Sequence, residues 1–285
     1  MKPPTFQYER AESLDAALNL LAREPDAKLL AGGQSLVALM NLRLASPDIL
    51  VDIGNLDELR YTRVDGSMLR VGAMTTQAEL EAEGAVQDVC PLLAKAVGYI
   101  AHGAIRNRGT VGGSIAHADP AAELPVVLAA LDGEVTIATT GGAVRVVSAG
   151  SFFRGFLMTS VEPHEVITEV AFPVARAEEH FAFEEFARRP GDFALVSVAC
   201  KVTVAGEGVT SVRVALGGVG ATPILLEGLS DLDLPAQDIV QLAAKTAHEV
   251  ARESTPDLHA SAAYRAHLAR ELTRRAVESA TTSEV

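Results

Sequence analysis

Cysteine and basic residues are both scarce in this chain. Only Cys90 and Cys200 occur among its 285 residues, so the chain alone cannot build a disulfide framework or a four-cysteine iron–sulfur or zinc site. Lys and Arg number 24 against 37 Asp and Glu, which gives a formal net charge of -13. That balance argues against nucleic acid or an anionic membrane surface as a partner.

Several familiar signals are also missing. No apolar run approaches the length that crosses a membrane, and the N-terminal MKPPTFQYER lacks the apolar segment of a secretory signal. We therefore expect a soluble, cytoplasmic protein without membrane insertion. The sequence contains no G-x-x-x-x-G-K-[ST], and no G-x-G-x-x-G in a βαβ unit, so a P-loop is excluded and a Rossmann nucleotide site is disfavoured. It also lacks H-E-x-x-H, and we predict no metal site.

Glycine is concentrated in two notable places: an N-terminal glycine stretch, Leu30 to Val37, and a central glycine stretch, Arg106 to Pro120. Glycine lets a ligand approach the backbone, and its left-handed dihedrals can aim successive N–H groups at one point. Such turns bind phosphate without lysine, so two of them predict a ligand with two phosphates. A side chain at Gly112 is expected to intrude on that ligand.

Simpler explanations exist for the same residues. Glycine pairs serve ordinary turns and helix ends, and this is how we interpret Gly141-Gly142 and Gly217-Gly218. Ser35 and Ser114 could donate to phosphate or could be only helix caps. Arg106 and Arg108 could likewise support the central stretch, face solvent or balance phosphate charge; His102 and His117 are assigned structural or ligand-lining roles.

The hydrophobic pattern predicts a small α/β unit over residues 1–55. Ser13 is expected to cap its first helix, and a second helix is expected to begin after Ser35 and to stop at Pro47. Further along, Asp65-Gly66 predicts a hairpin, and Thr76 begins a capping box. Asp119 is expected to cap the helix that follows the central glycine stretch.

The last third of the chain has a different pattern. Alternating segments 181–186, 194–204 and 209–216 predict a three-stranded antiparallel sheet, and residues 236–253 and 259–279 predict two helices. The sequence between the first two strands, Arg188 to Phe193, is an ordinary hairpin loop or a flap over a planar ligand.

Three long stretches carry a family resemblance: LLAGGQSLVALMNLRL, IRNRGTVGGSIAHADPAAELP and FEEFARRPGDFALVSVA. They resemble the FAD-binding medium subunit of molybdenum hydroxylases, the family of carbon monoxide dehydrogenase and xanthine dehydrogenase. The resemblance covers nearly the whole chain. It implies an α+β protein with the vanillyl-alcohol-oxidase-like (PCMH-type) FAD-binding fold. Two FAD-binding α/β subdomains, 1–57 and 58–175, would precede a C-terminal domain, 176–285, with a three-stranded sheet and helices.

The resemblance also implies which residues contact FAD. The N-terminal contacts are Leu30, Ala31, Gly32, Gly33, Gln34, Ser35, Leu36 and Val37; the central ones are Thr110, Val111, Gly112, Gly113 and Ser114. Glu123, or Asp119 beside it, matches an acidic position on the ribose side of the cofactor. Ile167 matches an apolar lining position, and Asp192-Phe193 matches a loop near the isoalloxazine edge. Some members have a tyrosine or tryptophan where Phe193 stands, and phenylalanine cannot offer a hydrogen bond.

The function implied by the resemblance is electron transfer by an oxidoreductase subunit, with no catalytic residue in this chain. FAD would take electrons from two-iron two-sulfur clusters of a small partner subunit and pass them to an external acceptor. A large molybdopterin-binding subunit would hydroxylate the substrate, and a dimer of such heterotrimers is expected. Two alternatives stay open: a stand-alone FAD-dependent oxidase of a small molecule, and a cofactor-free structural or assembly subunit.

Overall fold

The structure is a computed structural model that describes residues 1–205, 208–230 and 234–282. Its N-terminal part is a parallel three-stranded sheet in the order β1-β3-β2 with two helices. The elements are β1 (Gln7–Arg10), α1 (Leu14–Arg23), β2 (Ala27–Leu30), α2 (Leu36–Asn41) and β3 (Ile49–Asp52). Ser13 caps α1 as predicted, since its hydroxyl accepts from the Ala16 N–H at 3.1 Å. In the sheet, Leu30 and Arg10 are both paired with Asp52, so the carboxyl ends of the three strands lie at one edge.

Helix α2 is shorter than the sequence predicted. It ends at Asn41, and Arg43 takes a left-handed φ of 61°. The Leu44 N–H then donates to the Leu39 carbonyl at 2.8 Å, which closes the end of the helix. The expectation that Pro47 stops the helix is therefore wrong, because the chain has already left helical geometry four residues earlier.

The middle of the chain forms a five-stranded sheet in the order β4-β5-β10-β6-β7, and its helices pack against it. The elements, in order, are β4 (Thr62–Asp65), β5 (Met68–Gly72), α3 (Gln77–Ala82), α4 (Gly84–Val89), α5 (Pro91–Val97), α6 (Gly103–Arg106), α7 (Val111–His117), α8 (Glu123–Leu131), β6 (Glu134–Ala138), β7 (Val144–Ser148), α9 (Ala149–Phe152), β8 (Phe153–Gly155), β9 (Met158–Thr159) and β10 (Val166–Pro173). The hairpin at Asp65-Gly66 and the capping box of Thr76 with Glu79 are both confirmed.

Asp119 does not cap the helix after the central glycine stretch. Helix α8 begins at Glu123 with Ala122 at the N-cap position, three residues later than predicted. The Asp119 carboxylate instead accepts from the Ala121 N–H at 2.9 Å. Asp119 therefore stabilises a turn before the helix. An aspartate can accept from the N–H two residues later in such a turn, just as it can accept from an N–H at a helix N-terminus.

The last part of the chain is an antiparallel sheet covered on one face by two helices. Its elements are β11 (Glu179–Ala187), β12 (Ala194–Ala205), β13 (Gly208–Gly217), β14 (Ile224–Leu225), α10 (Ala236–Ala251) and α11 (Ala262–Thr282). The three predicted strands are present in the order β11-β12-β13, and the two-residue β14 adds a fourth to the edge.

The two faces of this last sheet belong to different cores. Val198 and Val214 pack with α10 and α11, whereas Phe183 and Ala199 belong to the core that contains α5, α8 and the five-stranded sheet. The Phe183 ring also lies 5.2 Å from that of Tyr99, centroid to centroid. The sheet is thus packed directly on the middle of the chain. Of the helices in the described ranges, none has the length and apolarity to cross a membrane.

Candidate functional site

The two glycine stretches, far apart in sequence, meet in space. A Cβ built on Gly32 would overlap the carbonyl oxygen of Arg108 and approach the Gly109 Cα to 3.0 Å. A Cβ on Gly113 would lie 3.8 Å from the Ala31 Cβ. The predicted pairing of the two stretches is therefore present in the fold, and glycine at position 32 is required by the close approach.

The N-terminal glycine stretch leaves the parallel sheet at the carboxyl end of β2. Gly33 has a left-handed φ of +73°, and its carbonyl accepts from the Val37 N–H at 3.1 Å, which turns the chain into α2. The Gln34 amide donates to the Gly32 carbonyl at 3.0 Å. Among the hydrogen bonds of the described residues, none uses the backbone N–H groups of residues 32–35. These half-buried donors are available to a ligand.

The central glycine stretch is organised differently from the prediction. Gly112 and Gly113 lie in the first turn of α7 with helical dihedrals, so the stretch is not a left-handed nest. The N–H groups of residues 111–114 are also already used within the protein. The bonds run from Val111 N to Thr75 O (2.9 Å), Gly112 N to Ala73 O (2.9 Å), Gly113 N to Thr110 Oγ1 (3.1 Å) and Ser114 N to Thr110 O (3.0 Å).

Gly112 faces the protein interior. A Cβ at this position would lie 2.5 Å from the Ala73 Cβ and 2.8 Å from its Cα. The expectation that a side chain at Gly112 intrudes on a ligand is therefore wrong, because that direction is filled by Ala73, the residue that follows β5. Gly113 and Ser114 are the half-buried residues of this turn, and Gly113 is the one directed at the N-terminal glycine stretch.

Backbone contacts with the start of α3, which the sequence did not predict, hold the central stretch in position. Thr76 and Thr110 form an isolated antiparallel bridge, and the Gln77 N–H donates to the Gly109 carbonyl at 2.8 Å. Gln77 is buried, and its side-chain oxygen lies 2.6 Å from where a Cβ on Gly109 would stand. The capping box located this helix start, but a local motif carries no information about its distant contact.

The two arginines of the central stretch have different roles. Arg106 binds the Glu81 carboxylate at 2.8 and 3.0 Å and the Ile100 carbonyl at 2.7 Å. It supports the fold, as one of the sequence interpretations allowed. Arg108 is exposed, while its backbone carbonyl faces Gly32. Phosphate charge next to these stretches would thus be met by backbone donors and by the exposed Arg108, and not by Arg106.

The acidic positions lie deeper in the structure. Glu123 is only 6% exposed, and burial, with a further contribution from Asp119, raises its pKa to about 7. Asp119 is half-buried, and its carboxylate is 3.9 Å from the His117 Nε2. Ile167 is buried in the core beside β6. Of these positions, Asp119 is the more accessible.

The loop from Arg188 to Phe193 packs on the segment that leads into the central stretch. A Cβ on Gly191 would lie 2.6 Å from the His102 Cε1 and 2.9 Å from the Ala101 carbonyl oxygen. Phe193 is 64% exposed. Residues 100–109 therefore contact this loop at one end and Gly32 at the other, so one segment connects the loop to the N-terminal glycine stretch.

The local chemistry fits a diphosphate cofactor such as FAD. Free backbone donors at residues 32–35 suit phosphate oxygens, and the meeting of Gly32 with the Arg108 backbone leaves a glycine-lined surface where phosphate can approach closely. In the described ranges, no group of three or more His, Cys, Asp or Glu is suited to hold a metal ion. The donor set therefore favours an anionic organic ligand.

Comparison with known proteins agrees with this chemistry. Residues 4–175 match the family described as "FAD binding domain in molybdopterin dehydrogenase", and residues 181–280 match "CO dehydrogenase flavoprotein C-terminal domain". Subunit alpha of the 6-hydroxypseudooxynicotine dehydrogenase complex from Paenarthrobacter nicotinovorans is 41% identical over 288 residues, covering 98% of this chain and 96% of that protein.

Solved structures show the same relationship. Carbon monoxide dehydrogenase from Hydrogenophaga pseudoflava has a chain with a TM-score of 0.94 and 37% identity, with 98% of each chain covered. Quinoline 2-oxidoreductase from Pseudomonas putida 86 has one with a TM-score of 0.90 and 36% identity, covering 99% of this chain and 98% of that one.

The chain belongs to the FAD-binding medium subunits of the carbon monoxide dehydrogenase and xanthine dehydrogenase family of molybdenum hydroxylases. It has the α+β architecture of that family, and it is an oxidoreductase subunit with FAD as its cofactor. The homologues are parts of complexes that contain a molybdenum pyranopterin cofactor and iron–sulfur centres.

Proposed function

We propose that this chain is the electron-transfer subunit of a heterotrimeric molybdenum-containing hydroxylase or dehydrogenase. It receives electrons from the iron–sulfur clusters of a small partner subunit and passes them, through its FAD, to an external acceptor. The observation that supports this most strongly is the junction of the two glycine stretches at Gly32 and Arg108, with unused N–H donors beside it. When bound, FAD supplies the two-electron redox chemistry, and the chain supplies binding and orientation.

In this proposal the two glycine stretches have different roles in binding the diphosphate. The N–H groups of residues 32–35 bind the diphosphate, with Leu30, Leu36 and Val37 lining the N-terminal side. Thr110 to Ser114 form the opposite wall, whose own N–H groups are used to fix its shape. The central stretch therefore contributes a rigid surface that the cofactor can approach closely, and it contributes few free N–H donors.

The other predicted contacts extend this site toward the flavin. Asp119 is the accessible acid and Glu123 the buried one, so Asp119 is the better partner for polar atoms on the ribose side. Ile167 supplies apolar packing from the core, and Asp192-Phe193 supplies an exposed edge. An exposed Phe193 suits a loop at which an acceptor or a partner approaches the flavin.

The proposed assembly contains a large molybdopterin-binding subunit and a small iron–sulfur subunit, and we infer a dimer of such heterotrimers in the cytoplasm. The proposed domain division is 1–57, 58–175 and 176–285. It is supported by the four sheets of the described residues, each of which falls within one of these ranges. The relatives act on different molecules according to their names, so the substrate belongs to the large subunit and is not determined by this chain.

Expression with and without the neighbouring subunits tests the proposal. The purified chain should contain releasable FAD, and the co-expressed proteins should purify as equal amounts of three subunits. The flavin of the complex should be reduced by the substrate of the large subunit, and that of the isolated chain should not. Reduction of the isolated chain by a small-molecule substrate would instead show a stand-alone oxidase, and a folded chain unable to bind FAD would refute the proposal.

A further inference from the structure

Arg265 is the only basic side chain that is buried among the described residues. It lies in the first turn of α11 and is 6% exposed. A cation is disfavoured near a helix N-terminus, because the helix dipole is positive at that end, and a buried charge is costly unless it is paired. The burial of Arg265 therefore depends on partners outside its own helix.

The partners of Arg265 are two backbone carbonyls and one carboxylate. Its Nη1 donates to the Leu195 carbonyl and, at 2.8 Å, to the Gly218 carbonyl. Its Nη2 donates to the Asp257 carboxylate at 2.6 Å. The other oxygen of that carboxylate accepts from the N–H groups of residues 259–260, both at 2.8 Å. The segment between α10 and α11 therefore holds Asp257 in place, and Asp257 holds the guanidinium.

Leu195 connects this guanidinium to the loop that carries the predicted isoalloxazine-edge contacts. We call residues 188–193 the flavin-edge loop. Leu195 is the second residue of β12 and follows Phe193 by two positions. At the other end of the loop, the Arg188 Nη1 donates to the His259 Nδ1 at 2.9 Å. Contacts with α11 and with the segment before it therefore hold the flavin-edge loop on both sides.

Gly218 connects the same guanidinium to the turn that contains Asp119. The Gly218 N–H donates to the Pro120 carbonyl at 2.8 Å, and Asp119 is the residue before Pro120. Gly218 has a left-handed φ of +76°, and a Cβ there would lie 2.4 Å from the Leu195 carbonyl oxygen. Glycine is required by both features. The backbone at Gly218 thus lies between Arg265 and the Asp119 turn.

The chemistry of arginine suits this junction. The two carbonyl oxygens that accept from Nη1 carry partial negative charge, and the guanidinium offsets their repulsion while it also binds a carboxylate. A planar guanidinium has donors in fixed directions, so it sets the spacing of its acceptors, whereas a lysine ammonium has no such fork. Arg265 therefore controls how Leu195 and Gly218 lie relative to each other.

We propose that Arg265, paired with Asp257, is a positioning residue for FAD. It acts through Leu195 on the flavin-edge loop and through Gly218 on the Asp119 turn. In this way it fixes the spacing between the isoalloxazine-edge contact and the ribose-side contact of one cofactor. The inference rests on the proposed function for the cofactor and for those two contacts. Arg265 itself does not bind FAD.

Titration of the apoprotein with FAD, followed by flavin fluorescence, tests this inference in three variants. Arg265→Lys removes the guanidinium fork, and Asp257→Asn keeps an oxygen acceptor but removes the charge that Arg265 pairs with. Arg274→Lys is the matched control, because Arg274 lies on the same helix and binds only Glu271 and Glu278 of that helix among the described residues. Urea unfolding of each variant gives the folded fraction, so that a loss of stability is separated from a loss of affinity.

The folded forms of Arg265→Lys and Asp257→Asn should each bind FAD about tenfold more weakly than the wild type, an effect of the size that one charge-assisted hydrogen bond can have. Arg274→Lys should bind FAD as the wild type does. At saturating FAD, the visible circular dichroism of the flavin should also differ between Arg265→Lys and the wild type.

Two results would contradict the inference in different ways. Lower stability with wild-type FAD affinity and a wild-type flavin spectrum, in both Arg265→Lys and Asp257→Asn, would show a purely structural role; it would overturn the inference and leave the proposed function standing. A folded wild-type chain that binds no FAD would refute the proposed function and the positioning role together.

Discussion

Gly32 and Arg108 touch through their backbones: the Cα of Gly32 faces the Arg108 carbonyl oxygen so closely that no side chain fits between them. This contact joins the end of a parallel sheet to the segment that leads into α7. The two glycine stretches therefore lie side by side. The free N–H donors of residues 32–35 lie on one side of the contact, and the hydrogen-bonded first turn of α7 lies on the other.

Gly112 should be a folding residue and not a binding residue. A Cβ at this position meets the Ala73 Cβ at 2.5 Å, and overpacking of this kind lowers stability by about 1–3 kcal/mol. Gly112→Ala should therefore lower the urea midpoint of the apoprotein. Gly84→Ala is the matched control, because it is also at a helix start and a Cβ there meets nothing within 4 Å. An unchanged midpoint for Gly112→Ala would contradict the assignment.

Thr110 should stabilise α7 through its hydroxyl. This hydroxyl accepts from the Gly113 N–H at 3.1 Å, and loss of such a cap lowers stability by about 1 kcal/mol. Thr110→Val should lower the free energy of unfolding by that amount in urea titrations, whereas Thr110→Ser keeps the oxygen and should recover most of it. Equal losses in the two variants would show that the cap bond contributes little.

The stability of the apoprotein should fall as pH rises through the neutral range. The pKa of Glu185 is about 8 in the folded chain against 4.5 as the ordinary value. The folded state therefore binds this proton more tightly, and the free energy of unfolding decreases as pH rises from about 4.5 to about 8. Glu185→Gln should flatten this decrease in urea titrations at several pH values. A decrease as steep as that of the wild type would contradict the raised pKa.

Glu165 should make the stability of the apoprotein fall as the pH is lowered into the acid range. It binds Arg145 at 2.6 Å, and this hydrogen bond is the main cause that lowers its pKa below 4.5. The stabilisation is present above the ordinary pKa and is lost as pH falls through the folded value. Glu165→Gln should therefore destabilise the chain near neutral pH and lose less stability on acidification than the wild type. A wild-type acid dependence in the variant would show that this pair does not control it.

Local signals in the sequence predicted local structure well. The Ser13 cap, the Asp65-Gly66 hairpin and the Thr76 capping box were all identified because each depends on residues a few positions apart. Asp119 was assigned to the wrong role because a cap and an isolated turn use the same short side chain.

Long-range contacts set the limit of the sequence reasoning. The pattern around Gly112 was typical of a glycine turn, but the contact with Ala73 depends on a strand that lies about 40 residues earlier in the chain. Likewise, nothing in either segment alone indicates that Glu123 acts on Glu185, since that follows from the packing of the C-terminal sheet on α5 and α8. The glycine pattern identified the two stretches, the resemblance implied that they contact FAD, and the structure shows which of them has free backbone donors.

Amide hydrogen exchange, measured with and without FAD, tests the central claim most directly. The amides of residues 32–35 have no acceptor among the described residues, whereas those of residues 111–114 are bonded within the protein. Exchange at residues 32–35 should be fast in the apoprotein and should slow strongly when FAD binds, and exchange at residues 111–114 should be slow in both states. FAD binding that leaves exchange at residues 32–35 unchanged would contradict this claim.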